Sequence, residues 1–241
     1  MTRQSGASTR NQARTDGSPP RRRWWRWILL SVFAIVVIIV GAVAALIKLG
    51  PSAAPLTLPR GFVSAPSGPL SGTWLVASGS LAGFRVEETA LGLSNYAGGQ
   101  TRAVTGVLVI SGNTVTSARF RVNLATIEVS GKKQPQFATS LGTRDHPLAT
   151  VTLTRPVTMN AAFATGHTVT AKASGQLTMN GVSQPVTVML SARRDGSELQ
   201  TAGSIPVQFV RWSIRQPAGF GIVGSLADHG DAEFRLILHR Q

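Results

Sequence analysis

The sequence predicts an all-β domain of about eight antiparallel strands, closed into a barrel in preference to a two-sheet sandwich, and preceded by one transmembrane helix. Three observations predict this. From Gly72 to Arg240 apolar and polar residues alternate in short runs rich in Val and Thr. Turn signals separate the runs, at Ser111-Gly112-Asn113, Asn180-Gly181, Asp195-Gly196 and His229-Gly230. Trp27–Ile47 is a stretch of twenty-one residues without a charge.

Residues 1–26 are polar and basic, with seven Arg against the single acid Asp16, and read as a disordered cytoplasmic tail. The next element, 27–48, is the expected membrane span. At about 1.5 Å per residue its uncharged run reaches about 30 Å, the thickness of a bilayer's hydrocarbon core. Arg21, Arg22, Arg23 and Arg26 precede it, and Trp24, Trp25 and Trp27 stand where interfacial aromatics anchor a helix. The positive flank places the N-terminus in the cytoplasm and everything after about residue 50 outside it. A cleaved signal peptide is the competing reading, with Ala42–Ala45 as a small-residue site, but its apolar region is usually about 7–15 residues. Residues 49–70 carry Pro51, Pro55, Pro59, Pro66 and Pro69 and read as a semi-extended spacer.

The domain at 71–241 begins where period-two patterning begins. Phe120, Val122 and Leu124 alternate with Arg119, Arg121 and Asn123; Val169, Ala171 and Ala173 interleave with Thr168, Thr170 and Lys172; Phe234, Leu236 and Leu238 interleave with Arg235, Ile237 and His239. That is the pattern of half-buried strands. Other strands are apolar at successive positions, as in Val107-Leu108-Val109-Ile110, which suggests two packed faces and favours the barrel. One short helix is expected within Lys132–Leu141.

The net charge of +14 divides evenly. Residues 1–50 hold eight Lys/Arg and one acid, and residues 51–241 hold sixteen against nine. The second half has no basic run longer than Lys132-Lys133 or Arg193-Arg194. Solvated strand faces account for it, with attraction to anionic lipid headgroups or envelope polymers as the sharper alternative; no nucleic-acid partner is expected. With no cysteine, a disulfide framework and Cys-ligated zinc are excluded.

Nothing nominates an enzyme. No G-x-S-x-G elbow, Walker loop or dinucleotide fingerprint occurs. The histidines at 146, 167, 229 and 239 make no ligand pair at helical spacing, and Asp228-His229-Gly230-Asp231 reads as a turn. No catalytic residue, metal site or cofactor is expected, apart from a possible bound lipid.

The wording of the strands resembles the YceI-like family of lipid- or polyisoprenoid-binding domains, in a membrane-anchored bacterial form. The resemblance runs through Gly72-Thr73-Trp74, Ala82-Gly83-Phe84-Arg85-Val86, Val104-Thr105-Gly106-Val107 and Pro147-Leu148-Ala149-Thr150-Val151. Its most distinctive part is Gly175-Gln176-Leu177-Thr178-Met179-Asn180-Gly181-Val182-Ser183-Gln184-Pro185-Val186. The chain departs from the family's pattern before Ser80, in the plain segment 134–141, and at His146. The resemblance implies a lipocalin-like eight-stranded barrel around a long apolar cavity, with an isoprenoid chain as the ligand type. A barrel of this size either fills with side chains or holds one small ligand. Trp74, Phe84, Phe120, Phe137, Leu153, Leu177, Phe209, Trp212 and Phe234 are the residues expected to line or cap it. The functional expectation is a membrane-tethered, extracytoplasmic lipid carrier, buffer or sensor with a membrane and an apolar ligand as partners; protein partners are not specified. The alternative is a non-enzymatic cell-envelope interaction domain with a filled barrel.

Overall fold

The computed structural model describes residues 33–41, 52–90, 92–216 and 224–241, with the side chains at 90, 136, 137 and 224 left aside. The expected tail at 1–26 and most of the expected span at 27–48 lie outside the described residues. The chain divides into two units, Met1–Ala45 and Leu46–Gln241. In the first, residues 33–41 form helix α1 with exposed side chains. Among the described residues no helix is long and apolar enough to cross a membrane.

The second unit is built on alternation. Strand β1 (Gly72–Val76) continues, after a break at residues 77–80, as β2 (Leu81–Ala90). Likewise β3 (Leu93–Thr101) continues, after residues 102–103, as β4 (Val104–Ser111). β2 pairs with β3 and β1 with β4, so these four segments make one long hairpin. There follow β5 (Thr114–Asn123), β6 (Leu148–Leu153), the short β7 (Val157–Thr158), β8 (Val169–Met179), β9 (Val182–Asp195), β10 (Glu198–Gln208), β11 (Gly224–Leu226) and β12 (His229–Arg240). Around the wall the order is β1/β2, β3/β4, β5, β6, β8, β9, β10 and β12, and β12 pairs back onto β1 and β2. Eight long antiparallel strands thus close on themselves, which removes the unpaired edges an open sheet would leave.

Ser80 explains how one strand survives its break. It is 2% exposed, and its hydroxyl donates to the Ile237 carbonyl at 3.2 Å while accepting from the Ile237 N–H at 3.0 Å. The Ile237 carbonyl also accepts from the Ala77 N–H at 2.8 Å, so it is for the Ile237 N–H that the Ser80 side chain stands in for a backbone partner. The tight β8–β9 turn is Asn180-Gly181, with φ of 49° and 73°. Both residues at positive φ are what a two-residue hairpin requires, and Asn-Gly supplies it at least cost. The predicted turn at His229-Gly230 is corrected by the structure: β12 starts at His229, and Gly230 lies within the strand, where a Cβ would meet the Arg85 carbonyl at 2.7 Å. Glycine there marks a close backbone approach to β2 rather than a reversal.

Connections gather at two ends. One end carries the short 3-10 helix η1 (Leu124–Thr126), helix α2 (Pro135–Ser140), the β8–β9 turn and the 3-10 helix η2 (Phe209–Trp212). α2 falls inside the stretch expected to be helical and opens on Pro135, a residue tolerated in a first helical turn. The other end carries the β4–β5 and β9–β10 turns and helix α3 (Ala161–Ala164). α3 was not anticipated. It is four residues long and is capped by Asn160, whose side chain accepts from the Ala162 N–H at 3.0 Å.

Residues 52–71, most of which belong to the semi-extended spacer expected at 49–70, have no regular secondary structure and run as a strap down the outer wall. The Ala53 N–H donates to the Tyr96 carbonyl at 2.9 Å on β3, and the Leu56 N–H to Glu233 Oε2 at 3.0 Å. Farther on, the Pro59 carbonyl accepts from Arg193 at 2.8 Å, and the Ser64 N–H donates to Asp195 Oδ1 at 2.8 Å. The strap ends at the α3 end, where the Ser67 and Gly68 carbonyls accept from Arg194 at 2.7 and 2.8 Å. It covers polar side chains that strand patterning alone leaves in solvent: Arg193, Gln200 and Glu233 are 8%, 6% and 7% exposed. Each has a partner, as burial of such groups requires.

Candidate functional site

The barrel encloses a cavity of about 210 Å³. Its origin is legible strand by strand. Several residues turned inward are small: Ala82 on β2, Ala118 on β5, Ala171, Ala173 and Gly175 on β8, and Ala232 on β12. Larger inward residues ring them, including Leu108, Phe120, Val151, Leu153, Leu177, Val188, Leu190, Ile205, Phe234 and Leu236. Eight strands set a bore that a full complement of large side chains would fill. Alanine and glycine among them leave the hollow.

The lining is almost wholly apolar. Ser174, Gln200, Thr201 and Glu233 also contribute to the wall. Alternation turns Ser174, Gln200 and Glu233 to the outer face, and Thr201 donates its hydroxyl to the Ser191 carbonyl at 3.1 Å. Glu233 is paired outside with Arg85 Nε at 2.8 Å, and Arg85 lies 4.5 Å from the Tyr96 ring centroid. The hydrogen bond to Glu233, aided by its charge and that of Asp231, holds the Arg85 guanidinium more firmly protonated than usual. No charged head therefore projects into the bore from this wall.

The two ends differ. Toward α3 the bore is stopped by Trp74, Met159 and Phe163, which are 1%, 6% and 3% exposed. Trp74 donates its indole N–H to the Leu70 carbonyl at 3.0 Å. Toward α2 and η2 a second hollow of about 60 Å³ adjoins the cavity, sharing Phe84, Leu141, Met179 and Ala232 with it. Its remaining walls come from β2, α2, β10, η2 and the residues after it, β11 and β12, and include Ser140, Phe209, Ile214 and Leu226. We term this the mouth end.

Of the residues expected to line or cap a cavity, Phe84, Phe120, Leu153, Leu177 and Phe234 are on its wall. Phe209 lines the second hollow. Trp212 caps the mouth-end core: it is 1% exposed and donates its indole N–H to the Leu177 carbonyl at 3.2 Å. Trp74 sits in the floor rather than on the wall. The side chain of Phe137 lies outside the described residues. Sequence reading missed Met159, Phe163 and the small inward residues. For the latter a signal existed in the alternation of Ala171, Ala173 and Gly175, whereas nothing local marks α3 as a plug.

Polar chemistry at the surface is sparse. Among the described residues no three His, Asp or Glu side chains converge as a metal site would require. Asp228 lies 2.8 Å from His229 Nδ1, and that hydrogen bond holds its carboxyl below the usual range. Both groups are solvent-exposed. Burial alone pushes the Glu88 carboxyl up.

The fold and the hollow define the class of the domain: a closed eight-stranded antiparallel barrel around an apolar cavity. The chain belongs to the YceI-like domain family, whose family model matches residues 75–236. Among solved structures it is similar to a polyisoprenoid binding domain from Saccharophagus degradans implicated in plant cell wall breakdown. The two share 14% identity at a TM-score of 0.53, covering 71% of this chain and 99% of that one. It is also similar to BcnA of Burkholderia cenocepacia, with 18% identity, a TM-score of 0.48, and 64% and 95% of the two chains covered. No curated protein matches it in sequence.

Proposed function

We propose that this chain is a membrane-tethered, extracytoplasmic binding protein that holds one apolar chain, an isoprenoid or a lipid of similar bulk, in the barrel cavity. The observation that carries the reading is the hollow itself, an apolar space in a barrel whose bore could equally have been filled. Transfer of a tail from water into it gains roughly 0.8 kcal/mol per buried methylene-equivalent, so affinity needs no charged contact. The family membership and the isoprenoid-binding description of the Saccharophagus protein support the ligand type. The uncharged run at 27–47 behind an arginine-rich flank supports the tether and the exported side. The role is non-enzymatic carriage, buffering or sensing.

The test is extraction of the purified full chain into organic solvent followed by mass spectrometry, with uptake of added polyprenol or quinone. A stoichiometric lipid, or saturable uptake, is expected. Repeated absence of both removes the reading. A fragment beginning at residue 70 is unsuitable for this purpose, because it discards the strap that covers Arg193, Gln200 and Glu233.

A further inference from the structure

The two ends of the barrel differ in surface chemistry as well as in closure. Exposed basic side chains cluster at the mouth end: Lys132 and Lys133 before α2, Arg144 after it, and Arg211 and Arg215 in and after η2. Val210, next to Arg211, is 83% exposed, the second most exposed large apolar side chain among those described. An apolar tip flanked by cations is costly to keep in water and is suited to an interface with anions on one side and hydrocarbon beyond. Acids at this end, apart from Asp145 beside Arg144 and Glu128 after η1, are Glu87, Glu88 and Asp228 at the β2–β11 wall. Asp228 stands beside η2, its carbonyl accepting from the Phe209 N–H at 3.0 Å, and Glu88 and Glu128 share a surface groove with Ser130 and Gly131 next to Lys132, so acids punctuate this rim. At the closed end the described cations are fewer or covered: Arg155 and Arg240 are exposed, while Arg193 and Arg194 are buried against the strap and Gln200.

The course of the strap adds an independent constraint. Its first anchored residue, Ala53, is bonded to Tyr96 near the tip of the β2–β3 hairpin, at the mouth end. From there the strap runs to the closed end before β1 begins. The chain therefore leaves the barrel beside the mouth. Only residues 48–51 separate the uncharged run from Ser52, and fully extended they reach about 14 Å.

We infer that the mouth end of the barrel docks on an anionic lipid surface, with Val210 entering the headgroup layer and Lys132, Lys133, Arg144, Arg211 and Arg215 facing the headgroups. The inference rests on the membrane-tethered reading and adds an orientation to it. A tail then passes between bilayer and cavity through the second hollow without crossing bulk water, which removes the hydration cost that makes free lipid transfer slow.

The absence of cysteine makes the experiment direct. Val210→Cys at the mouth and Ser197→Cys at the exposed β9–β10 turn of the closed end are each labelled with an environment-sensitive fluorophore. The full chain is reconstituted in vesicles of phosphatidylglycerol and phosphatidylcholine containing a nitroxide-headgroup lipid. Several-fold greater quenching of the label at 210 than at 197 is expected. That excess should shrink in phosphatidylcholine alone, at high salt, and in the combined variant Arg144→Gln, Arg211→Gln and Arg215→Gln. The salt series needs no mutation and so stays decisive if the triple variant misfolds. Equal quenching, or greater quenching at 197, overturns the orientation. Energy transfer between labels on separate chains without lipid quenching at 210 overturns it in favour of a second copy covering the rim. A chain that does not float with vesicles overturns the tether and this inference together. A floating, lipid-loaded chain with an unquenched label at 210 overturns the inference alone.

Discussion

Filling the cavity from inside tests whether the hollow is the binding site. Ala173 is 7% exposed, points inward on β8 and lines the cavity. At roughly 24 cal/mol per Å³ of empty space, a cavity of about 210 Å³ withholds about 5 kcal/mol from the unliganded fold. A benzene ring occupies a cavity of about 150 Å³, so the ring introduced by Ala173→Phe takes up most of the room. It recovers up to about 3 kcal/mol of that cost, against an overpacking strain of about 1–3 kcal/mol. Unliganded stability is therefore expected to hold or rise slightly. Ligand binding moves the other way. Losing even two buried methylene-equivalents at about 0.8 kcal/mol each lowers affinity by about tenfold, and most of the space is lost. The assay pairs urea unfolding of delipidated protein with uptake of a polyprenol or quinone followed by mass spectrometry. Lys172→Ala, on the exposed outer face next door, serves as the control and should bind normally. A folded Ala173→Phe protein that takes up lipid with wild-type affinity would refute the assignment of the chain to this hollow.

Three further outcomes follow from the same geometry. Ser80→Ala leaves the Ile237 N–H without its partner at the β1–β2 break, while the Ile237 carbonyl keeps the Ala77 N–H at 2.8 Å, and urea unfolding should register a loss of about 1–3 kcal/mol. Glu88, whose carboxyl is pushed up by burial, stabilises the fold when protonated; that contribution is complete below the ordinary carboxylate value and is lost as pH rises through the elevated one. Stability of Glu88→Gln should consequently be flatter than wild type across the mildly acidic range, as followed by denaturation at a series of pH values. Arg193→Met removes the donor to the Pro59 carbonyl and to Gln200, so limited proteolysis should cut within residues 52–71 faster than in wild type while the strands stay protected.

Much of the wall was readable residue by residue. Period-two alternation at 119–124, 168–173 and 234–239 assigns strands because successive side chains must point to opposite faces. Asn180-Gly181 and Asp195-Gly196 assign reversals because few residues accept positive φ. The hairpin reading of His229-Gly230 failed because a glycine also suits a close approach between strands, and local sequence does not distinguish the two uses. The aromatic residues were a partial guide to the site: four lie with the leucines on the wall or in the second hollow, two became floor and cap, and the side chain at 137 lies outside the described residues.

What the sequence determined by itself is whatever depends on neighbours in the chain: strand identity, the two tight turns, the family, and the order of small and large residues along β8. Tertiary structure alone decided that Ala82, Ala118, Ala173 and Ala232 border one cavity, that Phe163 stops one end, and that a Pro-rich segment lies on the wall over Arg193 and Glu233. Those outcomes depend on the register between strands far apart in sequence and on a closure with no local signature. A hollow is a property of where side chains from eight strands converge, and no single strand carries that information.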